Sequence, residues 1–202
     1  YIGQGIPASL TITIPALITA AFSLAHRVYA NEQKLAAEAA AAAADNDGPD
    51  AAAAVAKPTL RSKKVLHLIH ETLQLFVEYD RHTGIRLSVQ AALVSDQLGL
   101  EPIAYEFLVQ TFNSCERVTD SKERIQTLAY IMSYLPAFSN LQNDNYQNIA
   151  HACYLYAQSF LNKADQARYI ANCAHLHWIA PVVAAGDEDP SPLPNTQLED
   201  GT

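Results

Sequence analysis

The stretch GIRLSVQAALVSDQLGLEP, residues 84–102, decides the fold of this chain. Ile85 and Val89 stand at the spacing that places apolar side chains on one face of an α-helix. Gly99 then suits the left-handed residue that ends a helix, and Pro102 suits the first turn of the next helix. The stretch therefore predicts a helix, a tight turn and a second helix.

The same helical pattern continues on both sides of this stretch. Helices are predicted from about Pro15, over about 61–81 and 84–98, from Pro102, from Asp120 to Pro136, over 149–161 and over 167–178. Helix pairs thus recur about every 40 residues, as in HEAT-like arrays. We expect an all-α fold of about seven helices, a right-handed α-solenoid of HEAT-like antiparallel pairs, although the spacing alone also fits an irregular bundle.

Composition separates the chain into a body and two low-complexity segments. Of 202 residues, 50% are hydrophobic, enough for one domain, which we predict at 1–180. Residues 32–58 form an Ala-rich insert broken by DNDGPD, and residues 181–202 have the composition of a disordered acidic, Pro-rich tail. The formal net charge is −8, but the acids concentrate in these two segments. The body is close to neutral, which disfavours nucleic acid as a main ligand.

The apolar run IPASLTITIPALITAAFSLA, residues 6–25, is as long as a membrane-spanning helix. Its prolines, hydroxyl residues and alanines make it only modestly hydrophobic, so we interpret it as a buried packing helix rather than as a span. No basic region precedes it, which argues against a signal peptide. The chain begins with Tyr1 and not with Met, and we expect it to be a piece of a longer protein.

Cysteine and histidine positions offer the only candidates for a metal site. The cysteines, Cys115, Cys153 and Cys173, lie far apart, which favours a reduced, intracellular protein over a disulfide framework. His175 and His177 are two residues apart and point about 200° away from each other on a helix, so they do not hold one ion together. Cys173 and His177 alone do not make a zinc site. We interpret the Cys–His–Trp cluster of DQARYIANCAHLHW, residues 165–178, as packing that locks adjacent helices together.

The remaining signals for chemistry are weak. His67 and His70 form at most half of a metal site, and we expect His67 to face outward and His70 to lie beside the core. The sequence contains no GxSxG, GxGxxG or GxxxxGK[ST] motif. No catalytic, cofactor-binding or metal-binding residues are therefore predicted, and we do not expect an enzyme.

Several stretches, taken in order, resemble one known family. They are PALITAAFSLAHR (15–27), LRSKKVLHLIHETLQLF (60–76), GIRLSVQAAL (84–93), AYEFLVQTF (104–112), TDSKERI (119–125) and KADQARYIANCAHLHW (163–178). Each is weak alone, but their order and spacing are similar to the C-terminal half of the vacuolar protein sorting-associated protein 35 family, the large scaffold subunit of retromer. The Ala-rich insert is longer than the connection expected in the family. The tail stands where the family continues through a loop into further helices.

The resemblance implies a HEAT-like α-solenoid with no enzymatic activity and no cofactor. It implies a scaffold of the retromer coat, which sorts endosomal cargo for retrograde transport. The implied partner of this half is the small metallophosphoesterase-like subunit, vacuolar protein sorting-associated protein 29, held in the concave face. The whole protein would also bind the arrestin-like subunit and sorting nexins. The implied location is cytoplasmic and peripheral on the endosome membrane, which the protein would reach only through partners.

A partner-binding groove in a solenoid should carry polar or aromatic residues beside the apolar stripe of successive helices. Tyr and Arg are favoured anchors at protein interfaces. The predicted partner-binding residues are Arg86 and Gln90 on the third helix, Tyr105 and Glu106 on the fourth, Arg124 and Tyr130 on the fifth, and Gln166 and Tyr169 on the seventh. For each, the alternative is a solvent-exposed residue or an interhelical hydrogen bond.

Two other functions stay open at this point. One is another helical-repeat trafficking adaptor, and the other is a metal-dependent enzyme that uses a Cys–His or His site. A shortened array is also expected to expose an apolar end and to self-associate. If later helices hold part of the groove, partner binding by this piece would be weaker than by the whole half.

Overall fold

The computed structural model describes residues 8–45 and 60–178. Within these ranges it contains the helices α1 (Ala8–Asp45), α2 (Ser62–Val77), α3 (Arg81–Gln97), α4 (Glu101–Cys115), α5 (Ser121–Tyr134), α6 (Asn143–Gln158) and α7 (Lys163–Trp178). A short 3-10 helix, Leu135–Ala137, follows α5. Neither described range contains a β-strand, and the prediction of an all-α fold is confirmed.

The helices form two layers, one of odd-numbered and one of even-numbered helices. In the odd layer α1 contacts α3, α3 contacts α5 and α5 contacts α7. In the even layer α2 contacts α4, and α4 contacts α6. Across the layers α1 pairs with α2, α2 with α3, α3 with α4, α5 with α6 and α6 with α7, most extensively α3 with α4. Each helix thus neighbours its equivalent one helix pair along the chain, which is the arrangement of an α-solenoid.

The repeat that is faint in the sequence is clear in the helix starts of the odd layer. The Asp80 carboxylate accepts the backbone N–H of Thr83 before α3, and the Asp120 carboxylate accepts that of Lys122 before α5. Before α7 the Asn162 side-chain oxygen accepts the N–H of Ala164. These N-caps recur about every 40 residues, and each satisfies an N–H group that has no partner inside its own helix.

Hydrogen bonds between helices repeat the same spacing. Gln90 Nε2 donates to Tyr130 Oη, 40 residues on. Tyr156 Oη donates to the backbone carbonyl of Cys115, 41 residues back. A separation of one helix pair is what neighbouring repeats of a solenoid produce.

The core between the two layers is continuous. Its largest fully buried side chains are Leu66, Ile69, Phe76, Ile85, Phe107, Leu108, Leu128, Ile131, Leu135, Phe138, Leu141 and Tyr146. Each side chain of this kind contributes about 1.5–3 kcal/mol when it leaves water. Most of these residues stand at helical spacing in the sequence, which is why the helices could be located from the pattern.

Two glycines are needed where they stand. Gly99 has a φ of 68°, so it provides the predicted left-handed stop between α3 and α4. Gly84 lies inside α3, where a Cβ atom would come within 2.6 Å of Val77 Cγ2. The missing side chain therefore allows the end of α2 to approach the start of α3.

The first helix differs from its prediction. It begins at Ala8 rather than near Pro15, and it continues through the start of the Ala-rich insert to Asp45. Pro15 lies inside it, an unfavourable position because proline lacks the N–H group of a helix interior. Packing of Ile14 and Ile18 against the core on either side of Pro15 explains why the helix persists there.

The apolar part of α1 is long enough to cross a membrane. By length and composition alone the stretch Ser9–Ala41, with a mean hydropathy of 1.5, passes as a candidate span, and most of it is exposed. However, Ile18, Phe22 and Ala25 are buried in the core, and α1 contacts both α2 and α3. These contacts favour the predicted packing helix.

Two further boundaries and faces also differ from their predictions. The sixth helix ends at Gln158, before the predicted end at residue 161. Phe160 therefore lies in the turn after the helix, where it is buried, and Leu161 is exposed. In α7, predicted over 167–178 from apolar spacing that includes its alanines, the buried residues are Cys173 and Leu176, whereas Ala167, Ala171 and Ala174 are exposed. Alanines match the helical period, but larger apolar side chains remove more surface from water and decide which face packs. The predicted tail, 181–202, and residues 46–59 of the insert region lie outside the described residues.

Candidate interaction surface

The predicted partner-binding residues divide between the two layers. Tyr105 and Glu106 lie on α4, in the even layer. The others lie in the odd layer: Arg86 and Gln90 on α3, Arg124 and Tyr130 on α5, and Gln166 and Tyr169 on α7. The odd layer therefore contains most of the residues chosen from the sequence.

Arg86, Gln90 and Tyr130 meet between α3 and α5, and we call them, together with Tyr134, the Arg86–Tyr130 cluster. The Arg86 guanidinium carbon lies 4.7 Å from the centroid of the Tyr130 ring, a cation–π contact. Gln90 Nε2 donates to Tyr130 Oη at 3.4 Å, and the Tyr134 ring centroid lies 4.7 Å from that of Tyr130. Burial and, next, the hydrogen bond with Tyr134 raise the pKa of Tyr130, so its phenol is neutral at physiological pH. Residues chosen separately from the sequence are thus brought into one cluster.

Arg124 lies in a second aromatic cluster at the junction of α5, α6 and α7. Its guanidinium carbon is 5.0 Å from the Tyr156 ring centroid and 5.9 Å from that of Phe160, and it donates to Ser159 Oγ. The Phe160 ring also meets the Tyr169 ring edge-on, with centroids 5.7 Å apart. Arg124 and Tyr169 are therefore linked through Phe160.

Arg124 has an equivalent one repeat earlier. Arg81, in the first turn of α3, donates from Nη1 to the Arg117 carbonyl at 3.1 Å, beyond the end of α4. Arg124, in the first turn of α5, reaches Ser159 beyond the end of α6 in the same way. Both side chains join an odd helix to the turn after the next even helix. Both side chains therefore fix an odd helix to the end of the even helix that follows it.

The remaining candidates are engaged to different extents. Gln166 Nε2 donates to the Gln158 carbonyl, which ties α7 to the end of α6. Tyr105 is half-buried against the core, and Glu106 is exposed with its carboxylate 3.8 Å from His70 Nε2. Both residues lie on α4, in the layer opposite the Arg86–Tyr130 cluster.

The three cysteines are buried thiols of low reactivity. Cys115, Cys153 and Cys173 are free and buried. Burial raises the pKa of Cys115 to about 12 and that of Cys173 to about 11, and it raises the pKa of Cys153 as well. Because the thiolate is the nucleophile and the metal ligand, thiols that stay protonated are poor at both tasks.

The histidines around Cys173 do not share its environment. His175 is exposed, so it does not lock helices together as expected, and the Trp178 side chain lies outside the described residues. His177 reaches α6, where its Nδ1 lies 2.6 Å from Gln147 Oε1. Within residues 8–45 and 60–178, three or more His, Cys, Asp or Glu side chains nowhere come together as metal ligands would.

Sequence reasoning missed the aromatic residues Tyr134, Tyr156 and Phe160 of these clusters. Tyr134 follows Tyr130 by one helical turn, a spacing that could have revealed it. Phe160 lies within the predicted sixth helix, 149–161, and only the early end of α6 shows that it meets both Arg124 and Tyr169.

Two layers of helices, with one arginine–aromatic cluster between α3 and α5 and a second where α5, α6 and α7 meet, define a helical-repeat protein that presents an extended surface. The family model for vacuolar protein sorting-associated protein 35 matches residues 1–202, and the chain belongs to this family.

Curated relatives agree with this assignment. The chain is 28% identical over 180 residues to vacuolar protein sorting-associated protein 35C of Arabidopsis thaliana, covering 88% of this chain and 20% of the relative. It is 34% identical over 116 residues to vacuolar protein sorting-associated protein 35 of Schizosaccharomyces pombe, covering 57% of this chain and 14% of the relative. The chain thus spans 20% or less of the length of these relatives.

Proposed function

We propose that this chain is a segment of the non-enzymatic scaffold of the retromer coat, which sorts endosomal cargo for retrograde transport. Membership of the vacuolar protein sorting-associated protein 35 family is the observation that carries the proposal. The two-layer stack suits this role because each added helix pair extends a binding surface without any need for a catalytic cavity. The protein would work in the cytoplasm and associate peripherally with the endosome membrane through its partners.

The partner assigned to this segment is the small metallophosphoesterase-like subunit, vacuolar protein sorting-associated protein 29, bound in the concave face of the solenoid. We assign the contact to the odd layer, because the Arg86–Tyr130 cluster offers an exposed cation and an aromatic ring there. The arrestin-like subunit and sorting nexins would bind other parts of the longer protein.

Isothermal titration calorimetry of this chain with the purified small subunit tests the proposal. We expect saturable one-to-one binding that Arg86→Glu weakens by about tenfold or more, since interface arginines are frequent hot spots. Lys63→Glu is the matched control, because Lys63 is an exposed cation on α2 in the even layer. It should leave the affinity within about twofold of the wild type.

Each outcome of this titration has a defined meaning. Absence of binding by a chain that is folded by circular dichroism and monomeric by light scattering would contradict the assigned partner. Binding that Lys63→Glu weakens and Arg86→Glu does not would move the contact to the even layer.

A further inference from the structure

We propose that the cleft between α3 and α5 binds a carboxylate of an acidic segment in a partner protein, with Arg86 as the cation that anchors it and Tyr130 as the ring that supports Arg86. This inference deepens the proposed function, because it states what the partner presents to the odd layer. The inference rests on the proposed function in one respect: it takes the odd layer as the surface that contacts the partner.

The lining of the cleft suits an anion. The cleft has a volume of about 220 Å³ and is lined by His82, Ile85, Arg86, Gln126, Thr127 and Tyr130. These residues offer a guanidinium, an imidazole, a carboxamide and hydroxyl groups, all of which can donate hydrogen bonds to a carboxylate. No carboxylate lies among them to repel one. The cleft is smaller than a typical drug-sized ligand site.

Arg86 is held in place but its charge is not neutralised. Its side chain is exposed and stacks on Tyr130, whose hydroxyl is in turn held by Gln90. Among the residues that the structure describes, the one arginine in an ion pair is Arg117, with Glu78. A guanidinium binds a carboxylate through two parallel hydrogen bonds, and a planar group already held against a ring loses less freedom on binding.

The charges of the two layers also favour an acidic partner on the odd layer. The helices α1, α3, α5 and α7 carry eight cations, Arg27, Lys34, Arg81, Arg86, Lys122, Arg124, Lys163 and Arg168, and six acids, Glu32, Glu38, Asp45, Asp96, Glu123 and Asp165. The helices α2, α4 and α6 carry the cations Lys63 and Lys64 and the acids Glu71, Glu101, Glu106 and Asp144. The odd layer is therefore cationic and the even layer acidic, so an acidic protein is steered toward the odd layer.

The cationic excess favours a protein over other polyanions. Anionic membranes and nucleic acids are bound through clusters of several Lys and Arg residues, whereas the cations of the odd layer are spread over four helices. The cleft accepts one carboxylate at a defined point, as in the recognition of a single acidic side chain of a partner protein.

Fluorescence anisotropy of the full chain with a labelled peptide of alternating glutamate and serine tests this site without the retromer subunit. A peptide of alternating glutamine and serine is the matched probe and should bind at least about tenfold more weakly. Arg86→Gln and Tyr130→Leu should each weaken binding of the glutamate peptide about fivefold or more. Arg168→Gln removes the same charge from the same layer away from the cleft and should change the affinity by less than about twofold.

A further variant separates the charge of Arg86 from its geometry. Arg86→Lys keeps the charge but loses the planar fork, so it should bind the glutamate peptide more weakly than the wild type and more tightly than Arg86→Gln. The thermal midpoint of each variant shows that it remains folded.

Several results would overturn the proposal. They are equal binding of the two peptides, equal losses in Arg168→Gln and Arg86→Gln, or tighter Arg86-dependent binding of phosphatidylserine vesicles or of a single-stranded RNA oligonucleotide. If the glutamate peptide binds through Arg86 but the small subunit does not bind, the assigned partner is wrong and the cleft remains. If the small subunit binds and the glutamate peptide does not, the cleft is wrong and the assigned partner remains.

Discussion

Asp96 and Asn140 bind each other across one helix pair. Asp96 Oδ1 accepts the backbone N–H of Asn140 at 3.1 Å, and Asn140 Nδ2 donates back to the Asp96 carbonyl at 2.7 Å. Asp96 Oδ2 also accepts the N–H of Ser139 at 2.8 Å. Asp96 is completely buried at the end of α3. Since a buried carboxylate is tolerated only with hydrogen-bond partners, these contacts fix the turn that leads into α6.

Replacing Asp96 should therefore be costly. Asp96→Ala leaves the N–H groups of Ser139 and Asn140 without their acceptor, and we expect the free energy of unfolding to fall by about 2–3 kcal/mol. Urea denaturation followed by circular dichroism measures this loss. Glu71→Ala removes an exposed carboxylate from α2 and should cost less than about 0.5 kcal/mol. Equal urea midpoints for the two variants would show that the contacts of Asp96 are not stabilising.

The start of α2 depends on a residue of α1. Glu32 Oε2 accepts a hydrogen bond from the Ser62 hydroxyl at 2.6 Å, and Glu32 Oε1 accepts one from the Ser62 backbone N–H at 3.3 Å. Arg61, the N-cap residue, makes no capping hydrogen bond with its own side chain. Glu32→Ala should lower the free energy of unfolding by about 1 kcal/mol, as for the loss of a helix cap, and the thermal midpoint by about 2–4 °C. Glu38→Ala, farther along the same helix, is the control and should have no such effect.

Gly84 should be intolerant of even the smallest side chain. Gly84→Ala brings a methyl group to within 2.6 Å of Val77 Cγ2, so we expect a loss of about 1–3 kcal/mol from overpacking, despite the better helix propensity of alanine. A double-mutant cycle with Val77→Ala, measured by urea denaturation, isolates the clash. If the losses of the two single variants simply add, Val77 is not the group that excludes the methyl.

Alkaline pH should destabilise the fold. Burial raises the pKa of Cys115 from 9.0 to about 12, and burial with the neighbouring Cys115 raises that of Tyr156 from 10.0 to about 12. The folded state therefore retains protons that the unfolded state loses, so the stability is full below pH 9 and falls as pH rises toward 12. The free energy of unfolding, measured by urea denaturation at several values between pH 8 and about pH 11, should decline steadily.

The thiol contribution to this decline can be separated. Cys115→Ala removes one of the titrating groups, so its stability should depend less steeply on pH than that of the wild type. The comparison of slopes does not depend on the constant cost of the lost packing. Identical slopes would assign the decline to groups other than Cys115.

Local chemistry made the helices of this chain predictable. Gly99 ends α3 and Asp120 begins α5 as their residue types indicate, because a left-handed stop and an N-cap depend only on neighbouring residues. The start of α1 was not predictable in this way, since packing on both sides of Pro15 overrides a local preference. Tertiary contacts thus decided the boundary that local rules placed wrongly.

The candidate surface was predictable only in part. Arg86 and Tyr130 could each be chosen as an interface type beside an apolar stripe, but their contact depends on the register between α3 and α5. The spacing of apolar residues along one helix, with its period of 3.6 residues, carries no information on the register between two helices. The same holds for the charge difference between the layers, which appears only when alternate helices are assigned to the same side.

The hydrogen bonds between helices have a mechanical consequence. Side-chain hydrogen bonds between distant parts of the described chain span 30 to 44 residues, so each joins neighbouring helices or repeats and none reaches farther. A tension applied between the two ends would load these bonds in series rather than in parallel. The solenoid would then flex under small forces and give way one repeat at a time, as a spring lengthens coil by coil.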